Sequence, residues 1–303
     1  MKQRTIRESF ALRGKGLHTG VEICATLRPA LEGTGICFRR VDMQERPMMR
    51  ALATYVGGTS RGTVLEQKGW KVSTVEHLLA ALYAMGVSNC MIELDGPEVP
   101  ILDGSSRMWV DEIKRVGLEE QNCDLEELVV HKPIVFDNGK GSWMKIEPCE
   151  RYEVYVHVDY PSPVLGKQDA VLSDVKDFDE EIASARTFCF LREIKPLLQL
   201  GLIKGGDLQN ALVIYDKRMW QWSMNMLARK LGQKPIDATQ LGYLSELKYE
   251  NEPARHKLLD VVGDMSLLGM PIRGKITVSK PGHEFNTWCC KQLLKELLTK
   301  KSV

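Results

Sequence analysis

The 303-residue sequence has no apolar run approaching the roughly 18 residues that mark a membrane-spanning helix. Its opening stretch, Met1 to Phe10, lacks the apolar centre of a secretory signal peptide. Neither sign of charge dominates: 41 Lys and Arg face 40 Asp and Glu, a formal net charge of +1, so nothing in the balance calls for nucleic acid. Eight cysteines are scattered at positions 24, 37, 90, 123, 149, 189, 289 and 290, and none forms C-x-x-C. The adjacent Cys289 and Cys290 make a poor disulfide. All eight read as reduced, buried thiols in a cytoplasmic protein without an integral membrane segment.

What is present is a globular composition, 44% hydrophobic and 27% charged, over a length that suits two domains or one large one. Residues 3 to 29 read as strand, turn and strand, with Gly14, Gly16 and Gly20 bracketing His18 in a tight turn. His18 is expected to be a hydrogen-bonded turn residue rather than a ligand. Ser73 to Gly86 reads as a helix, with Ser73 or Thr74 as N-cap, Ser73-x-x-Glu76 as a capping box and Gly86 as its stop. A second helix is predicted from about Ser106 to Val116. The polar, aperiodic stretch from Gln121 to Glu127 is taken as the domain boundary, giving domains of 1-124 and 125-303. Beyond it, Leu128 to Val130, Trp143 to Ile146 and Glu153 to Tyr160 read as an antiparallel sheet holding His131 and His157 as structural residues. A Gly-punctuated apolar insert follows at about 184-215. It reads either as a packed subdomain or as the wall of an apolar channel. Lys280 to His283 reads as a loop and Thr287 to Lys300 as a closing helix.

The richest stretch is Arg255 to Asp264, an apolar helical stripe that also carries His256 and Asp260 at i and i+4. An imidazole and a carboxylate one turn apart are half of a zinc site, although the same pair also suits an exposed helix face. A short internal match changes the odds. His77 to Gly86 and Asp260 to Gly269 are both nine positions, with Leu78, Leu79, Leu82 and Met85 set against Val261, Val262, Met265 and Leu268. Two similar α+β domains are therefore expected, each a β-sheet layered with helices, packed as a β-α-α-β sandwich with the active site at the domain interface. There His77 can join His256 and Asp260.

Taken together, Gly16 to Gly20, Ser73 to Leu78, Ala185 to Phe188, Arg255 to Asp260 with Gly263-Asp264, and Gly282-His283 occur in the order found in a known family. Over nearly its whole length the chain resembles the UDP-3-O-acyl-N-acetylglucosamine deacetylases, zinc-dependent hydrolases (amidases) of lipid A biosynthesis. The resemblance implies Zn2+ held by His77, His256 and Asp260, with Glu76 as general base. His283 would steady the oxyanion and protonate the leaving amine, Asp264 would hold His283, and Thr187 would donate to the oxyanion. Lys257, pointing away from the metal face, and Lys280 would meet the substrate diphosphate. Phe188, Leu191, Ile194, Leu202 and Val213 would line a passage for the acyl chain, or else form the insert's own core. Cys189, where many relatives have Gly, and Glu193, where some have Asp, depart from the pattern. Some relatives carry a fused acyl dehydratase domain, and none is expected within residues 1 to 303. The expected partner is a small-molecule substrate, a UDP-acyl-glucosamine, bound by a monomer. An amidase for another acylated amine and a metal-stabilised binding protein are the competing readings.

Overall fold

The computed structural model describes residues 1–199, 203–230 and 236–301. Its helices are α1 (Glu76–Ala84), α2 (Arg107–Val116), α3 (Phe178–Glu181), α4 (Leu191–Gln199), α5 (Gln221–Lys230), α6 (Glu252–Met265) and α7 (His283–Lys301).

Two sheets of like topology organise the chain. The first runs Phe10–Lys15, Glu22–Pro29, Cys90–Leu94, Ile36–Arg40, Met48–Arg50; the second runs Ile134–Asp137, Trp143–Glu147, Ile272–Ser279, Tyr152–Asp159, Lys167–Leu172. In each row the third and fourth strands are parallel and the other neighbours antiparallel. The second sheet is thus mixed rather than purely antiparallel, because its central strand enters from a helix and not from a hairpin. Alternation places one face of each sheet inside: Ile23, Ala25 and Leu27 in the first, Val154, Val156 and Val158 in the second.

The paired helices supply the inner layers. α1 precedes the central strand Cys90–Leu94, and α6, through the 3-10 turn Ser266–Leu268, precedes Ile272–Ser279. Gly86 and Gly269, the two stops aligned in the sequence, both have positive φ, 72° and 80°. α1 packs directly on α6, and the helices share one apolar cluster with both sheets. Being covered on two sides, α1 is buried from Glu76 through Leu82 rather than amphipathic. Burial of each of Leu78, Leu79 and Leu82 is worth about 1.5–3 kcal/mol before chain entropy is counted. The result is the expected α+β pair of similar halves, sheets outside and helices within.

Several local expectations give way. Of the cysteines, Cys37, Cys90, Cys289 and Cys290 are buried, but Cys24, Cys149 and Cys189 are only partly so and Cys123 is exposed on the ribbon. α1 has no capping box: Val75 is its N-cap without a side-chain bond. Ser73 instead donates to Pro97 O and Thr74 to the Glu98 carboxylate, while Glu76 accepts from Thr63 N. The stretch around Gln121 is not featureless, since Leu118–Asp124 pairs with Lys2–Ile6. It reads as polar because this ribbon is largely exposed. His131 lies outside any strand. His283 is the first residue of α7 rather than part of a loop. The insert also reaches past residue 215, as its sheet joins Phe188–Phe190 and Leu212–Tyr215 to Gly242–Tyr243.

Candidate active site

The N-terminal end of α1 meets α6 near its C-terminal end, at Gly263. A Cβ on Gly263 would lie 2.2 Å from the backbone oxygen of Glu76, so the absence of a side chain sets how closely the helices cross. That crossing brings Glu76 and His77 against Asp260, one turn before Gly263. The result is a cleft of about 430 Å³, lined among others by Thr187, Phe188, Lys257 and His283. A separate cavity of about 380 Å³ lies at the other end of the helix pair, beside Gly86 and Gly269, and its walls carry no imidazole.

His77, His256 and Asp260 are all buried, and each offers one ligand atom within 4.8 Å of the others. The Nε2 atoms of His77 and His256 lie 3.9 and 3.5 Å from Asp260 Oδ1. His256 Nδ1 is 3.0 Å from Ala185 O. A carbonyl can only accept, so Nδ1 carries the proton and Nε2 presents a lone pair. Burial, with His256 beside it, pulls the His77 imidazole down to about 3, and burial pulls His256 below its ordinary value. Both rings are therefore neutral at pH 7. Asp260 Oδ1 is buried with no hydrogen-bond partner. An unpartnered carboxylate oxygen facing two imidazole nitrogens is costly to bury unless a cation fills the gap. The donor set thus fits a divalent metal ion.

Proton-carrying groups surround this trio. Burial pushes the Glu76 carboxyl up to about 7. Its Oε2 accepts from Thr63 N at 3.0 Å, and its Oε1 lies 3.9 Å from His283 Nε2. Burial opposes a charge on His283, but Asp264, Asp260 and Glu76 outweigh it and push the imidazole up to about 9. Asp264 receives His283 Nδ1 at 3.0 Å, Asn286 Nδ2 at 2.9 Å and Thr63 Oγ1 at 2.5 Å. Asp264 therefore lies behind His283 and stays out of the cleft.

Lys257 does not point away from the trio, as its helix position suggested. It stands three residues before Asp260, a neighbour on the helix surface, and its Nζ donates to Asp260 Oδ2 at 2.7 Å. Burial disfavours the ammonium, yet Asp260 outweighs it and holds the pKa above its usual range. Nζ also lies 5.4 Å from the centre of the Phe188 ring. Lys280 is outside the cleft lining and pairs with Asp159 at 3.1 Å. Leu191, Ile194 and Val213 form a small core within the insert, whereas Phe188 faces the cleft. Leu202 lies outside the described residues. His18 bonds Arg61 O at 3.2 Å, in a turn. Thr63, Asn286 and Gly263 were not singled out as site residues in the sequence. The Gly-rich run Gly57-Gly58-Thr59-Ser60-Arg61-Gly62 just before it gives only a faint signal for Thr63, since ordinary turn chemistry explains such a run equally well.

Residues 3–228 and 235–295 match the family model of UDP-3-O-acyl N-acetylglycosamine deacetylase. The chain is 48% identical over 300 residues to a "Bifunctional enzyme LpxC/FabZ" of Bacteroides thetaiotaomicron, covering 98% of this chain and 65% of that protein. It thus spans just under two thirds of that relative's length. It is also 39% identical over 287 residues to a UDP-3-O-acyl-N-acetylglucosamine deacetylase of Myxococcus xanthus, covering 94% of this chain and 83% of the relative. With the family model covering almost the entire chain and the metal-fitting trio set between its two halves, the protein belongs to the UDP-3-O-acyl N-acetylglycosamine deacetylase family.

Proposed function

We propose that this protein is a zinc-dependent hydrolase that removes the N-acetyl group from UDP-3-O-(3-hydroxyacyl)-N-acetylglucosamine. Acetate is released, in the committed step of lipid A biosynthesis. The observation that carries the reading is the unpartnered Asp260 oxygen between two neutral imidazoles, with Glu76 and His283 beside it. His77, His256 and Asp260 would hold the zinc. When bound, it supplies Lewis acidity toward a water and toward the amide oxygen. A purely structural site has no need of the two flanking proton carriers.

The chain's own groups divide the remaining work. Thr63 N occupies Glu76 Oε2, which leaves Oε1 to take the proton of the attacking water. His283, charged at neutral pH and held by Asp264, donates a proton to the amine nitrogen as the C–N bond breaks. Its charge and the Thr187 hydroxyl stabilise the oxyanion. The acetyl carbon, now bonded to the oxygen of the water, departs as acetate, and the protonated nitrogen stays on the sugar as the amine. Lys257 stands at the cleft and Lys280 near its edge as partners for the diphosphate, Lys280 by exchanging Asp159 for phosphate oxygens. Phe188 opens the acyl passage, with Leu191, Ile194 and Val213 as the apolar body behind it, which would exchange contacts among themselves for contacts with the chain; Leu202 joins the proposed lining on the family resemblance alone.

The same reading divides the chain at 124/125, between the ribbon strand and Leu128–Val129, which pairs beside Ile272–Ser279. It also makes the protein a cytoplasmic monomer; no described helix is long and apolar enough to cross a membrane. Metal content and deacetylation of the UDP-linked substrate, measured before and after chelation, test the proposal. Zinc present and activity restored by zinc are expected, and full turnover in the metal-free chain would exclude it.

A further inference from the structure

The solvent face of α5 carries a feature that the proposed chemistry does not use. Trp220, just before the helix, is 77% exposed, and Trp222 and Met226, one turn apart, are 64% and 55% exposed. Two exposed indoles and a thioether within seven residues, at the start of one helix, are an apolar concentration that soluble surfaces rarely present without a partner. The opposite face is covered: Met224, with the partly buried Leu227, packs into the insert's apolar core with Leu191, Ile194 and Val213, and Ala228 is also buried. The helix is thus fixed from beneath, and its aromatic side is outermost.

Charge identifies the occupant. In a chain of formal net charge +1, residues 217–230 include Lys217, Arg218, Arg229 and Lys230 and no Asp or Glu. Lys217, Arg218 and Arg229 are exposed. Trp222, Met226 and Arg229 follow helical spacing along the outer face, and Arg218 stands exposed in the segment that leads into the helix. The preceding acid, Asp216, is buried and paired with Arg192. Indoles rimmed by cations suit the headgroup region of a bilayer, where the ring rests at the interface and the cations meet lipid phosphate. A second copy of this face would bring the same cations together, which disfavours self-association.

We infer that α5 with Trp220 is a peripheral docking surface for an anionic lipid bilayer. The inference stands apart from the deacetylase reading, although docking there would place the insert at the surface where acylated molecules partition.

Sedimentation of the full chain with vesicles tests it, using phosphatidylcholine alone or mixed with phosphatidylglycerol. The expected result is binding to the anionic vesicles only, weakened by salt and accompanied by a blue shift of tryptophan emission. Trp220→Ser with Trp222→Ser, and separately Arg218→Glu with Arg229→Glu, should each weaken binding by roughly tenfold or more. Because these side chains are exposed, both variants should keep the wild-type circular dichroism spectrum. No binding by the wild type, equal binding to uncharged vesicles, or undiminished binding by both variants would overturn the inference. So would a dimer in analytical ultracentrifugation that either variant dissociates.

Discussion

Thr63 does more for the site than its ordinary character suggests. Its backbone N–H holds Glu76 while its hydroxyl holds Asp264, so one residue sets the spacing between the proposed proton acceptor and donor. Thr63→Val removes the hydroxyl and leaves Asp264 with one fewer donor. A loss of about 1–3 kcal/mol in stability is expected from denaturant unfolding, with a fall in kcat rather than a rise in KM. Thr63→Ser should restore both, and a Val variant with wild-type kcat would remove Thr63 from the account. Glu76→Ala should lower turnover by roughly 10²–10⁴-fold with zinc still bound on elemental analysis; retained activity would exclude Glu76 as the base. His283 titrates above its ordinary 6.5, at about 9. With the folded value the higher one, its contribution to stability is complete below pH 6.5 and is lost as pH rises through about 9. An NMR titration of the metal-free protein should place the ring near 9, and loading with zinc should lower that value because the ion repels the imidazolium.

At the scale of elements, the decisive contact is the crossing of α1 and α6. Their meeting is tight because Gly263 offers no side chain to the Glu76 carbonyl. Gly263→Ala meets backbone rather than a movable side chain, so the helices must part. A cost of about 1–3 kcal/mol is expected, together with weaker zinc binding in a competition titration, since His77 and Asp260 lie on the two separated helices. The apolar stripe of α6 and the matched glycine stops were legible from spacing alone. The capping box was not realised, because Thr63, Pro97 and Glu98 gave the same polar groups partners from elsewhere in the chain. The outward direction expected of Lys257 did not hold, because residues three apart are neighbours on a helix and its long side chain reaches Asp260.

At the scale of the whole molecule, the candidate metal site bridges the two halves. His77 comes from α1, and His256 and Asp260 come from α6. An ion bound by the folded chain alone should therefore stabilise the assembly as a unit, by about 2.7 kcal/mol at a hundredfold excess over its dissociation constant. Zinc should raise the melting temperature of the full chain, and Asp260→Ala should abolish that rise. An equal rise in the variant would place the stabilising ion elsewhere.

The sequence by itself determined the soluble-type composition, the doubled sheet-and-helix unit and the identities of the metal-fitting groups. These depend on local periodicity and residue chemistry, which survive without knowledge of the fold. Tertiary structure alone decided that Thr63 stands between Glu76 and Asp264, that Asn286 completes the shell of Asp264, and that the Trp-bearing face of α5 is turned to solvent. Such facts depend on contacts between segments as many as 201 positions apart. No window of the chain encodes them, because the energy that sets them arises only when the layers pack.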